Sequence, residues 1–133
     1  MAIAFVFPGQ GSQSVGMMAA YGEAKVVRAT FDEASSTLGE DLWQMVVEGP
    51  AETLAQTINT QPVMLTAGVA VWRLWLDKGG RPPAVMAGHS LGEYSALVAA
   101  GVLEFSDAVP LVRLRAAAMQ EAVPMGTGAM AAI

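Results

Sequence analysis

The chain has 133 residues, of which 53% are hydrophobic and only 14% charged, with a net charge of −5. Typical soluble domains carry about 25% charged residues, so a chain this apolar needs a large interior and reads as one domain or part of a bigger one. Its seven Lys and Arg are scattered, which excludes a phosphate-tracking nucleic-acid surface; without cysteine there is no disulfide framework, thiolate metal site or cysteine nucleophile, and a single histidine argues against a zinc site.

Residues 3–7 are a short, continuously apolar, aromatic and β-branched run that ends at Pro8-Gly9. They read as a buried strand of a parallel sheet. No basic stretch precedes the run, and it is too short for a signal peptide. The longest apolar stretch, 62–76, is broken by Thr66 and Arg73, so it cannot span a bilayer. The protein is therefore expected to be soluble and cytoplasmic. Residues 8–13 form a loop whose Gly9 and Gly11 permit close backbone approach or positive φ.

Residues 25–38 carry helical spacing and end at Gly39, a C′ position. Residues 42–47 and 51–57 read as two short helices. Thr60 is placed to cap a long helix over 61–78, with Pro62 in its first turn. Apolar side chains cover nearly all of that helix, leaving Thr66, Arg73 and Asp77 as a narrow polar stripe, so it is expected to be buried on most sides. Residues 79–83 break the chain, 84–87 form a second short strand and 91–100 a helix. Ser106 is placed to cap a further helix to about residue 122. A turn over 124–128 leads to a third strand at 129–133. Strands alternating with helices argue for an α/β sheet, and three strands leave that sheet incomplete.

Gly88-His89-Ser90-Leu91-Gly92 fits the G-x-S-x-G nucleophile elbow, with a strand before it and a helix after it. The turn leaves no room for β-carbons at the flanking glycines, lifts the Ser90 hydroxyl off the sheet edge and puts the free N–H of Leu91 beside it. The plainer alternative is a serine acting only as a helix cap. His89 is the sole imidazole, but adjacent side chains diverge at such a turn, so it reads as a packing residue rather than a base. Glu93 reads as a first-turn carboxylate favoured by the helix dipole. A serine hydroxyl needs a base to attack a thioester, and none is visible in these residues.

On the wheel of the last helix, Leu111, Val112, Ala118, Met119 and Ala122 form an apolar face from which Arg115 projects, while Arg113 lies on the opposite, solvated side. A guanidinium cannot shed its charge, so an inward-facing one requires anionic or strong acceptor partners. One possibility is a structural ion pair. The other is a clamp for a substrate carboxylate near Ser90.

Taken in series, residues 7–13 (Phe-Pro-Gly-Gln-Gly-Ser-Gln), Thr60-Gln61-Pro62, residues 88–97 (Gly-His-Ser-Leu-Gly-Glu-Tyr-Ser-Ala-Leu), Arg115 with Met119-Gln120, and 126–133 (Gly-Thr-Gly-Ala-Met-Ala-Ala-Ile) resemble the bacterial malonyl-CoA:acyl-carrier-protein transacylases. The resemblance implies an incomplete α/β-hydrolase-like parallel sheet with helices on both faces over residues 1–127, and the first strand of a ferredoxin-like subdomain at 128–133. It makes Ser90 the acyl-carrying nucleophile and the N–H groups of Gln10 and Leu91 the oxyanion hole. Arg115 would pair with the free carboxylate of malonyl, and Gln61 would line the same pocket. The family's base is a histidine beyond residue 133, so these 133 residues alone are expected to be inactive. Ala116 stands where the family usually has glycine after the arginine, which bears on how Arg115 is aimed.

The implied partners are malonyl-CoA and acyl carrier protein in fatty acid biosynthesis, with no cofactor or metal, no nucleic acid, no membrane, and a monomer at full length. A net charge of −5 suits an acidic carrier protein poorly, so the docking surface must be local or lie elsewhere. Three rivals remain: the acyltransferase domain of a polyketide or fatty-acid megasynthase, a serine esterase, and a catalytically inactive carrier-protein-binding fragment. The start at Met1, just before the first strand, favours a stand-alone enzyme over the megasynthase.

Overall fold

The computed structural model describes residues 1–124 and 126–129. Its elements in chain order are β1 (Ala4–Phe7), a 3-10 turn (Ala19–Tyr21), α1 (Lys25–Leu38), α2 (Leu42–Glu48), α3 (Ala51–Leu54), α4 (Thr57–Asp77), β2 (Val85–Gly88), α5 (Gly92–Ala99) and α6 (Phe105–Ala122). The third strand expected at 129–133 falls almost wholly outside the described residues.

β1 and β2 pair in parallel, with Ala4 opposite Val85 and Phe7 opposite Gly88. Parallel neighbours need a crossover, and here α1 to α4 supply it. Side chains alternate across the strands, so Phe5, Phe7 and Met86 point to one face, where Trp72 of α4 and Ala96 and Ala99 of α5 cover them. Phe5 lies edge-on to both Trp72 and Trp75, with centroids 5.4 and 5.5 Å away. Val6 and Val85, on the other face, are 77% and 61% exposed. Among the described residues, helices thus cover one face of the sheet.

α4 is the spine of the molecule. Its residues from Asn59 to Ala67 are all buried, and it packs on α1, α5 and α6. Phe31, Leu42, Leu54, Leu65, Val63 and Val112 are fully buried around it. Of the polar stripe expected on this helix, Thr66 is buried and its hydroxyl donates to the Pro62 carbonyl at 2.7 Å, Arg73 reaches Glu33 at 2.8 Å, and Asp77 is exposed. The exposed side of α4 also carries Val71, Trp75 and Leu76.

Two helix starts differ from the sequence expectation. Thr60 is not a cap; α4 begins at Thr57, one turn earlier, and the buried Thr60 hydroxyl donates to the carbonyls of Leu54 and Gln56. Those bonds tie α4 to α3, which consequently ends at Leu54 rather than 57, and Pro62 lies in the second turn. Ser106 is exposed, and α6 starts at Phe105 because that ring is buried and receives the Arg73 guanidinium, 4.8 Å from its centroid. In both cases burial, of Thr60 itself and of Phe105 beside Ser106, outweighs the local capping preference.

α1 ends as expected, with the chain turning left-handed at Gly39. Asp41 then caps α2, its Oδ1 accepting from the Gln44 N–H at 2.8 Å. Replacing Asp41 by alanine is expected to lower unfolding stability by about 1 kcal/mol, read as a shift of the urea midpoint at constant slope.

Candidate active site

The turn between β2 and α5 holds Ser90 at φ +53°, and it is the only residue other than glycine with positive φ among those described. An L-residue in that conformation costs about 1–2 kcal/mol, so the surrounding structure must impose it. The flanking glycines show how. A β-carbon on Gly88 would lie 2.0 Å from the Gly92 carbonyl group, and one on Gly92 would lie 2.1 Å from the Phe7 oxygen. α5 therefore starts flush against β1, and the hydroxyl of Ser90 is exposed at the strand ends. Gly92→Ala must push β1 and α5 apart; a loss of about 1–3 kcal/mol of unfolding stability is expected, read as a lower thermal midpoint.

The 8–13 loop lies across the elbow. A β-carbon on Gly9 would sit 2.7 Å from the His89 carbonyl, and Gly11 has φ +107°. The Gly11 N–H donates to Gln13 Oε1 at 2.7 Å, and the side chain of Gln10 accepts from the Thr57 hydroxyl. Within the elbow, the N–H groups of Gly92 and Glu93 are taken by the carbonyls of His89 and Ser90. The N–H groups of Gln10 and Leu91 have no acceptor among the described residues. They remain available to an incoming oxyanion.

Arg115 reaches this point from α6. Its Nη2 donates to Ser90 Oγ at 3.2 Å and its Nη1 to Gln61 Oε1 at 2.8 Å. Its guanidinium carbon lies 5.5 Å from the Tyr94 ring centroid, within cation–π range. Gln61 is fully buried, and its Nε2 donates to the Met119 sulfur at 3.3 Å. The two ion pairs among the described residues are Arg73–Glu33 and Arg113–Glu40. Arg115 is in neither, so the ion-pair alternative does not describe it.

The helical wheel needs correction. The buried stripe of α6 is Phe105, Ala108, Val109, Val112 and Ala116, and Arg115 stands at its edge rather than its middle. Leu111 is 40% exposed. Arg113 is not simply solvated: it flanks the same stripe from the other side and binds Glu40 with both terminal nitrogens. Ala116 is buried in the core stripe, and Arg115 still meets Ser90.

His89 is exposed rather than packed in a core, and makes no hydrogen bond to Ser90. Glu93 sits exposed in the first turn of α5. Thr57, Tyr94 and Met119 were not singled out from sequence as parts of the site. Thr57 precedes Gln61 by one turn of α4, and Tyr94 lies in the first turn of α5, directly after the elbow.

An apolar hollow of ≈ 390 Å³, lined by Phe5, Phe7, Met17, Met64, Trp72 and Ser95 among others, lies behind the 8–13 loop; neither Ser90 nor Arg115 lines it. Among the described residues no cluster of three or more His, Cys, Asp or Glu is placed to hold a metal ion, and no helix is long and apolar enough to cross a membrane.

A parallel α/β unit that forces a serine into left-handed backbone between two sterically required glycines, beside unspent N–H donors, defines the class of serine-nucleophile acyl-transferring α/β proteins. Comparison with known proteins narrows the class. The acyl transferase domain family matches residues 4–133, and the chain belongs to it. It is 63% identical over 131 residues to the malonyl CoA-acyl carrier protein transacylase of Escherichia coli K12 and 53% identical over 132 residues to that of Bacillus subtilis 168. These matches take in 98% of this chain but only 42% and 41% of those proteins, so the chain spans less than half the length of its curated relatives. Among solved structures, the acyl-carrier-protein S-malonyltransferase of Burkholderia pseudomallei superposes with a TM-score of 0.91 at 61% identity, over 93% of this chain and 40% of that one. A malonyl-transacylase solved in complex with a type II polyketide acyl-carrier protein gives 0.91 at 57% identity, over 95% and 41%.

Proposed function

We propose that the protein to which this chain belongs transfers a malonyl group from malonyl-CoA to the phosphopantetheine thiol of acyl carrier protein, the step that supplies fatty acid biosynthesis. Ser90 Oγ attacks the thioester carbonyl, its proton passing to a base, and the carbonyl oxygen takes on negative charge facing the N–H groups of Gln10 and Leu91. Collapse breaks the C–S bond, coenzyme A leaves as the thiol, and a malonyl ester remains on Ser90. The carrier's thiol repeats the attack on that ester and regenerates the serine. The base is the histidine that the resemblance places beyond residue 133, and the chemistry calls for no metal or cofactor. The 133-residue polypeptide by itself is therefore expected to give no transfer above background.

The observation that carries this reading is the Arg115 guanidinium, held 3.2 Å from Ser90 Oγ with no carboxylate partner in either ion pair of the described chain. An acyl group on Ser90 that ends in a carboxylate supplies the missing anion. The fully buried Gln61 holds the guanidinium from behind. The relatives whose names state malonyl transfer to acyl carrier protein support the same acyl group and acceptor.

The test is covalent. Incubation of the full-length protein with malonyl-CoA is expected to add one malonyl group to the peptide containing Ser90, seen by intact mass and peptide mapping. Addition of holo acyl carrier protein should remove it. A malonyl adduct on any other residue, or none, would sink the assignment.

A polyketide carrier as acceptor is the second reading, favoured by the relative solved with such a carrier. On the resemblance, we place residues 1–127 in the α/β-hydrolase-like part and 128–133 at the start of a ferredoxin-like subdomain. A cytoplasmic setting goes with a coenzyme A thioester as donor and a carrier protein as acceptor.

A further inference from the structure

α4 touches the site twice. Its residues Thr57 and Gln61 stand one turn apart on the same side of the helix, in its first two turns. Gln61 accepts from Arg115 at 2.8 Å. Thr57 donates its hydroxyl to Gln10 Oε1, across 47 residues of sequence. One rigid element thus grips both the cation beside Ser90 and the loop that carries the Gln10 N–H.

We propose that Thr57 is a positioning residue for acyl transfer: its hydroxyl anchors the Gln10 side chain and so aims the Gln10 N–H at the oxyanion. This rests on the acyl-transfer reading above. The other hydrogen bond within the 8–13 loop at short distance, Gly11 N–H to Gln13 Oε1 at 2.7 Å, does not involve the Gln10 side chain. Gly11 has φ +107°, the Ser12 N–H to Gly9 bond is long at 3.4 Å, and Gln10 is exposed. Gly9 pins the loop to the His89 carbonyl on one side. The Gln10–Thr57 bond is the restraint on the residue that carries the donor. Without it the backbone of Gln10 keeps its N–H but loses its direction, and oxyanion stabilisation depends on donors held within hydrogen-bond distance of where the charge develops.

The division of labour on α4 makes the effect recognisable. An oxyanion forms on the thioester carbonyl whatever the acyl group, so loss of the Thr57 anchor slows malonyl and acetyl transfer alike. Loss of Gln61 disturbs Arg115 and changes the ratio between them.

The experiment uses the full-length protein with Thr57→Val, Thr57→Ser, Gln10→Ala and the Gln10→Ala/Thr57→Val double variant. Thr57→Val keeps the shape and removes the hydroxyl. It is expected to lower kcat about tenfold for both acyl groups at unchanged KM, with the malonyl-to-acetyl ratio intact. Thr57→Ser is expected to restore kcat. Gln10→Ala should match Thr57→Val, and the double variant should be no slower than either single one, since both remove the same bond. An unchanged kcat in Thr57→Val, equal losses in Thr57→Val and Thr57→Ser, a shifted acyl ratio, or additive effects in the double variant would each overturn the proposal. Malonylation of Ser90 in the unaltered protein is scored separately; its absence defeats the acyl-transfer reading, whereas its presence with any of those outcomes defeats only the role of Thr57.

Discussion

Ser90→Ala is expected to reduce malonyl transfer by a factor on the order of 10⁴ to 10⁶ while leaving the fold intact. The size follows from the role proposed for Ser90: removing the nucleophile of a serine acyl-transfer site leaves only binding and oxyanion stabilisation. The fold should survive because alanine occupies the same left-handed backbone at similar cost, and the glycines that impose the turn are untouched. What is lost locally is the 3.2 Å contact with Arg115. Circular dichroism and thermal melting of the full-length variant check the fold, and a carrier-malonylation assay checks the rate. Residual transfer within a hundredfold of the unaltered protein would show that Ser90 carries no acyl group.

Arg115→Ala is the second large effect, and its signature is a change of preference. Transfer of malonyl is expected to fall about 10²- to 10⁴-fold, while transfer of acetyl holds or rises, because a site that holds a half-buried guanidinium for a substrate carboxylate discriminates against a substrate that leaves it unpaired. On the proposed reading, an acetyl ester would leave the guanidinium with only Gln61 and the serine oxygen, whereas malonyl would give it a carboxylate. The alanine variant removes that distinction. It also strands the Oε1 of the fully buried Gln61, so a loss of about 1–3 kcal/mol of stability should accompany the kinetic change. Arg115→Lys keeps the charge but not the planar fork, and is expected to fall between the two. Equal losses for both acyl groups would mean that Arg115 does not select the substrate.

The elbow was legible in the sequence because its requirements are local. Gly88 and Gly92 are needed within four residues of each other, and the clashes that their β-carbons would make are with the turn itself and the adjoining strand end. The helix over Lys25–Leu38, ending at Gly39, was legible for the same reason: its apolar spacing and terminal glycine are short-range signals. Pattern was less informative where packing overrode propensity. Thr60 and Ser106 look like caps, yet burial at Thr60 and Phe105 moved both helix starts towards the N-terminus. On α6 the apolar face was drawn to include Leu111, which is exposed, because the wheel cannot say which side of a helix this rich in small apolar residues meets the core.

By itself the sequence determined the elbow, a glycine-flanked serine between a strand and a helix, and the series of motifs whose resemblance gave the class of chemistry. Only the tertiary structure decided what surrounds it. Arg115 meets Ser90 across 25 residues and Gln61 across 54, and Thr57 meets Gln10 across 47. No local spacing encodes such meetings. They depend on α4 packing against α6 and on α5 starting flush against β1, contacts whose geometry is set by the close-packed interior rather than by the order of residues along either helix.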